Sequence, residues 1–276
     1  MWPLWQGATI DPKRRSASIC SRRQRAKSGQ DTRRPVFVNA ISVSKLALDA
    51  IHLEVLVLAE GFDISEATLE WLLEPDNPSV RLNTLRFLLA RSEHDPDVLQ
   101  SAGTINVSPP VKTILDLQEP GGHWAPEKSF YTGKYKSTVW TLLVLAELGA
   151  DARDERIQAA CEFILENAQH HASGGFSQQG GRNGGQVSDI IPCLTDNMLW
   201  VFVRFGYLDD PRVQSAIDWI VRYKRCDDGE GKVPSGWPYD NWEICRGRHT
   251  CHMGVVKTLK AFAEIPKEKR WVCRGI

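Results

Sequence analysis

No stretch of this 276-residue chain is apolar for the eighteen or so residues that a membrane span needs. Mean hydropathy is −0.31, so a spanning segment is not expected. Net charge is missing as well: 34 Lys and Arg stand against 34 Asp and Glu. A neutral total argues against nucleic acid as a partner. No apolar stretch follows the basic N-terminal residues, so a secretory signal is not expected. Cys-x-x-Cys is absent, and the seven cysteines are an odd number in a long chain without an export signal. That usage points to a reducing, cytoplasmic location, with free thiols or metal ligands rather than disulfides.

What is present is 42% apolar residues and ten tryptophans, ample for a core in one large domain or two small ones. The neutral total hides an imbalance. Residues 11–34 hold nine Lys and Arg against Asp11 and Asp31, a local +7, which leaves −7 for the remainder. Residues 1–35 show no apolar periodicity after Trp5 and are rich in Arg, Ser, Gln and Gly. Such a segment cannot bury enough surface to offset the entropy of ordering it. Three readings stand for it: a basic arm touching phosphates, an organelle transit peptide, or a non-native start without function. The folded domain is expected over 36–276.

A repeat organises that domain. Four stretches are apolar nearly all round, starting at Ser79, Ser137, Cys193 and His249, with starts 58, 56 and 56 residues apart. Each reads as a buried helix. Gly149 and Gly206 stand where helix C-caps belong. An amphipathic helix follows each of the middle two, opened by Asp154 and by Asp210-Pro211. Aligned, Ile157 matches Val213, Ala160 matches Ala216, Phe163 matches Trp219 and Ile164 matches Ile220. Pro110 to Leu117 is a shorter version in the first repeat, Ser42 to Glu60 suggests a partial repeat, and a last helix opens at Pro266 without completing. The linkers share a pattern of Gln, at least three residues, Gly and an aromatic: Gln118 to Trp124 and Gln169 to Phe176, with a degenerate form ending at Trp237. They are longer than the turns of tetratricopeptide or HEAT solenoids.

Gln118-x-x-x-Gly122-x-Trp124 resembles the Gln-Trp motif of squalene and oxidosqualene cyclases. The helix pairs with Gly-rich linkers resemble the repeat shared by those cyclases and the β subunits of protein prenyltransferases. The resemblance covers residues 79–265. It implies an all-α fold, an α/α toroid of inner and outer helices around an apolar cavity. Four inner helices are fewer than such proteins have, so a partial or open toroid is expected.

In such a repeat the linkers deliver the chain to the same end of every inner helix, where unpaired N–H groups favour anions. Tyr131, Lys134, Tyr135 and Ser137 fall there in one repeat. Asp189, Cys193, Thr195 and Asp196 fall there in the next, and Arg246, Arg248, His249, Cys251 and His252 in the last. His249-Thr250-Cys251 resembles the zinc-ligating His-Thr-Cys of the protein farnesyltransferase β subunit. By that resemblance Cys193, Asp189 or Asp196, and His249 are candidate zinc ligands, with Cys226, Cys245 and Cys251 as further ones. The family's Asp-x-Cys pair is absent, since Asp189 and Cys193 are four apart. The competing reading makes these cysteines small buried residues. His249 and His252 share a helix face, while His170 and His171 read as surface residues in a linker.

Lys134, Arg246 and Arg248 are candidate anion contacts. Trp140 and Trp200 fall in nearly the same phase on inner helices, either lining a cavity or packing; Trp124 and Trp237 read as packing residues. The Asp-x-Asp-Asp acid of the cyclases is absent, which argues against cyclisation. The expected function is a zinc-dependent, prenyltransferase-like protein acting on an isoprenoid-type substrate. The alternative is a non-catalytic toroid that binds an apolar ligand or a protein partner.

Overall fold

The computed structural model describes residues 64–227, 230–241 and 250–274, all within one contact unit that spans Asn39–Ile276. The basic segment 1–35, the stretch 42–60, and Trp242, Cys245, Arg246, Arg248 and His249 lie outside the described residues. Helices supply nearly all the regular structure among those described. The fold is all-α, with one two-stranded hairpin of β1 (Gly180–Gly181) and β2 (Gly184–Gly185).

The first repeat departs from the sequence reading. Helix α1 (Glu66–Leu72) is capped by Ser65, whose hydroxyl accepts from the Thr68 N–H. The single helix expected from Ser79 is two pieces, α2 (Pro78–Asn83) and a π-helical turn over Thr84–Leu88. The Thr84 hydroxyl donates back to the Val80 carbonyl at 2.9 Å, a contact that bends helices. Leu89 N–H then reaches the Thr84 carbonyl at 2.9 Å, and Ala90 turns the chain at a φ of 48°. The outer element is also two helices rather than the stretch 110–117 alone. Helix α3 (Pro96–Thr104) was not expected; Asp95 caps it by accepting from the Asp97 N–H. A 3₁₀ turn leads into α4 (Pro109–Asp116). Pro109 and Pro110 bring no N–H donors, so one continuous helix cannot form across them.

The next repeats follow the expected plan. They contain α5 (Thr138–Glu147), α6 (Glu155–Asn167), α7 (Pro192–Arg204), α8 (Pro211–Tyr223) and α9 (His252–Glu264). Asp154 and Asp210 are N-caps, accepting from Arg156 N–H at 3.0 Å and Arg212 N–H at 2.8 Å. Gly149 and Gly206 sit just past α5 and α7 at φ of 74° and 84°. Around them Ala150 N–H bonds Leu145 O and Tyr207 N–H bonds Phe202 O, the six-to-one closure of a Schellman motif. The matched outer-helix positions Ile157, Ala160, Phe163, Ile164 and Val213, Ala216, Trp219, Ile220 are all buried. Each large one contributes roughly 1.5–3 kcal/mol. A last α-helix after Pro266 does not form; Lys267–Arg274 is 3₁₀.

The Gln and Gly of the linker pattern tie the chain to the second helix of the following repeat. Gln118 Nε2 donates to the Arg156 carbonyl at 2.7 Å, and Gln169 Nε2 donates to the Arg212 carbonyl at 2.7 Å. Both acceptors lie in first turns, of α6 and of α8. Gly122 and Gly174 lie so close to those helices that an added Cβ would stand 2.7 Å from Ala159 O and 2.1 Å from Ser215 O. The linker aromatic is fixed too: Trp124 N–H donates to Thr138 Oγ1, and Phe176 N–H donates to Thr195 Oγ1.

Helix α7 packs against both α5 and α9, with α6 on α5 and α8 on α7. Contacts between α7 and α9 advance together along both helices. Asp196 meets Thr258, Trp200 meets Lys260, and Arg204 meets Glu264. The two helices therefore run in the same direction, and their N-termini lie at one end.

Candidate functional site

At that end, three helices meet on one carboxylate. Asp196, in the second turn of α7, is 1% exposed. Its Oδ2 accepts from Lys224 Nζ at 2.7 Å, and its Oδ1 accepts from the Thr258 hydroxyl at 2.9 Å. Lys224 is the C-cap residue of α8 and Thr258 lies on α9. The Lys224 side chain is itself only 11% exposed. Burial pushes the Asp196 carboxyl above its ordinary value, against the pull of the Lys224 ammonium. Gly254 makes the arrangement sterically feasible, since a Cβ there would stand 2.6 Å from Lys224 Nζ.

Two thiols lie on the helices beside this pair. Cys193 is near the start of α7, and Cys251 is the N-cap residue of α9. Burial holds the Cys193 thiol above its usual range, with Lys257 and Lys224 pulling it down and Asp196 and Cys251 pushing it up. Those influences place Cys193, Cys251, Asp196, Lys224 and Lys257 in one electrostatic neighbourhood. Cys226 keeps an exposed surface, though partial desolvation raises its thiol, and it also feels Lys224 and Asp196. Cys161, by contrast, is fully buried inside α6.

The other predicted residues divide. Asp189 lies in a 3₁₀ turn ahead of α7, where it accepts from Ser188 Oγ at 2.8 Å and Gln178 Nε2 at 3.3 Å. Ser137 is fully buried and donates to the Lys134 carbonyl at 2.8 Å. Lys134 is exposed. Tyr131, Tyr135 and Trp140 do come together: Trp140 stacks on Tyr131 at 5.6 Å, approaches Tyr135 at 6.0 Å, and donates from Nε1 to the Tyr131 carbonyl. His252 is exposed on α9. Trp200 is buried, and the Lys260 ammonium lies over its ring at 3.7 Å. Lys260 also pairs with Glu147, the last residue of α5.

One face of α5 thus carries Trp140, Val144 and Glu147, and one face of α9 carries Met253, Val256 and Lys260. Val144, Met253 and Val256 are exposed, and the two faces meet at the Glu147–Lys260 pair. The arrangement has thiols at one end, apolar side chains along the middle and ion pairs at the other end, where Arg204 bonds Glu264 at 2.9 Å.

The sequence reading missed Lys224, Thr258, Gly254, Lys257 and Lys260. Lys224 had a partial signal, since the outer-helix alignment puts it in the place of Ala168; the match of Asp196 with Val139 emerges from the structure, where each follows the threonine that holds the linker aromatic. Among the described residues no group of three or more His, Cys, Asp or Glu side chains is disposed to hold a metal ion. No helix among them is long and apolar enough to cross a membrane. Comparison with protein-family models, curated proteins and solved structures found no match for this chain.

Proposed function

We propose that this chain is an α/α-toroid-type repeat protein, built on the plan of the cyclase and prenyltransferase repeat, that binds an isoprenoid-type apolar ligand. The ligand lies against the face made by α5, α7 and α9, with its polar end toward Cys193 and Cys251. The observation that carries this reading is the graded face, with exposed Val144, Met253 and Val256 between a thiol end and an ion-paired end. Exposed apolar residues grouped on one face mark a binding surface more often than single ones do. The test is titration of the full chain with farnesol, followed by tryptophan fluorescence. Saturable quenching in the wild type, lost in Val144→Glu and Val256→Glu, supports the reading. Quenching that those variants leave unchanged ends it.

A second reading, zinc-dependent prenyl transfer, is favoured by the two thiols at the starts of neighbouring helices. Zinc supplies Lewis acidity and activates a bound thiolate. Asp196 already has both oxygens engaged by Lys224 and Thr258. Zinc then needs donors from beyond the described residues, and His249 is the candidate. Metal analysis of purified protein, beside Cys193→Ala and His249→Ala, decides. Zinc that is absent, or that both variants retain, ends the transferase reading and leaves ligand binding.

A further inference from the structure

Two positions distinguish the middle repeats. Thr138 and Thr195 each accept from the N–H of the preceding linker aromatic, so the next residues, Val139 and Asp196, are equivalent. Ala168 and Lys224 are the C-cap residues of α6 and α8, so they are equivalent as well. Val139 and Ala168 are fully buried. Packing at these positions therefore needs only small apolar side chains. The later repeat puts an ion pair there instead.

Stability does not account for that replacement. Withdrawing two charges from water is opposed by a desolvation penalty that their attraction roughly offsets, and apolar residues of similar volume are often as stable or more so. What an ion pair adds is directionality. Asp196 has one oxygen for the end of α8 and one for α9, so a single carboxylate fixes three helices relative to each other. Gly254 leaves the space for Lys224. Cys251 Cβ stands 3.7 Å from the point where a Gly254 Cβ would lie, the point that Lys224 Nζ approaches at 2.6 Å. Cys193 sits on α7 one turn before Asp196. The ion pair thus lies between the elements that carry the two thiols.

We propose that Lys224 is a positioning residue, which by pairing with Asp196 docks the end of α8 and the start of α9 on α7 and sets the placement of Cys193 relative to Cys251. The inference concerns the thiol end of the ligand-binding face proposed above, but its test uses no ligand, so either idea can fail without the other.

The experiment treats the full chain with dibromobimane, a short bis-alkylating reagent, and maps Cys193–Cys251 cross-links by peptide mass spectrometry. Single alkylation of Cys193 by iodoacetamide reports its intrinsic reactivity alongside. The variant Asp196→Val/Lys224→Met replaces the pair by apolar groups. Its melting temperature is expected to stay within about 4 °C of the wild type. Its cross-linking rate is expected to fall at least about tenfold, since the second alkylation depends on effective concentration. Single alkylation of Cys193 should not fall. A folded double variant that cross-links within about twofold of the wild-type rate overturns the proposal. If that variant does not fold, Asp196→Asn/Lys224→Met decides, because it removes the ion pair without stranding a charge and leaves the Asp196 position able to bond Thr258. A fall in its cross-linking supports the proposal, and an unchanged rate overturns it.

Discussion

The repeat that starts at Ser137 and the one that starts at Cys193 are made from the same parts and bury different things. Each is preceded by a linker whose Gln bonds its second helix, and each has a threonine that fixes the linker aromatic, an aspartate N-cap and a Schellman glycine. At one matched pair of positions the first holds Val139 and Ala168, and the second holds Asp196 and Lys224. Shared parts are what any copy of the repeat needs to fold. The exchange of an apolar pair for a buried ion pair is therefore the place to look for function. A charged group buried beside thiols is expensive to keep for packing alone.

The largest effect should come from leaving one charge alone. Lys224→Met strands the Asp196 carboxylate at a site that is 1% exposed, and a loss of about 3–5 kcal/mol is expected at neutral pH in urea unfolding. Val139→Asp places a carboxylate at the equivalent fully buried site with no ammonium opposite, and the loss should be at least as large. If either single variant melts like the wild type, an unpaired carboxylate is tolerated at that site and the ion pair does not set the two repeats apart.

Backbone variants separate the shared parts by size. Gly174 is at φ +85°, and an added Cβ would lie 2.1 Å from the Ser215 carbonyl oxygen. Gly206 is at φ +84° with nothing within 4 Å. Gly206→Ala should lose about 1–2 kcal/mol from the left-handed conformation alone. Gly174→Ala must also force two backbones apart, so it should lose more than Gly206→Ala by at least about 1 kcal/mol. Equal melting temperatures for the two would show that the outer helix yields freely.

Much of this was legible in the sequence, for reasons tied to range. Asp154, Asp210, Gly149 and Gly206 act on their own helices, so local rules locate them. The repeat spacing exposed the Gln-Gly-aromatic pattern, although only the structure shows that Gln118 and Gln169 bond the outer helix of the following repeat. Helix α3 opens with Asp95-Pro96, as α8 does with Asp210-Pro211, but Pro109-Pro110 offers a second opening at the repeat spacing and masks it. In the candidate site, Cys193, Cys251 and Asp196 were found by their repeat phase. Lys224 was not, because it sits at the end of an amphipathic helix and looks like a solvated C-terminal cation. Its partner is 28 positions away, and no periodicity links them.

The linker glutamines test the shared parts more gently. Gln169 is 1% exposed and also donates to Gly174 O at 3.0 Å. Gln169→Ala leaves two carbonyls without that donor, and about 1–3 kcal/mol should be lost. Gln118 is partly exposed and makes one such bond. Gln118→Ala should lose about 0.5–1.5 kcal/mol. Reversal of that order in urea unfolding would mean that the exposed linker, not the buried one, holds the outer helices together.

The smallest effect is the one that isolates the ion pair from everything the repeats share. Two kinds of carboxylate respond to pH in opposite senses. Asp210 is held below its ordinary value of 3.8 chiefly by the Arg212 side-chain bond, so its stabilisation is present above that value and is lost as pH falls through the lower folded value. Asp196 is held above 3.8 chiefly by burial, so its favourable contribution is present below 3.8 and is lost as pH rises through the folded value. Asp210 is common to the wild type and to Asp196→Val/Lys224→Met, so it cancels from their difference. The double variant has lost only the Asp196 contribution. Its stability relative to wild type should therefore increase as pH rises above 3.8, until the folded Asp196 value is passed, with a slope below about 1.4 kcal/mol per pH unit for a single proton. A difference that stays flat or shrinks as pH rises above 3.8 would mean that the Lys224 ammonium outweighs burial, and that Asp196 is stabilised in its charged form as Asp210 is.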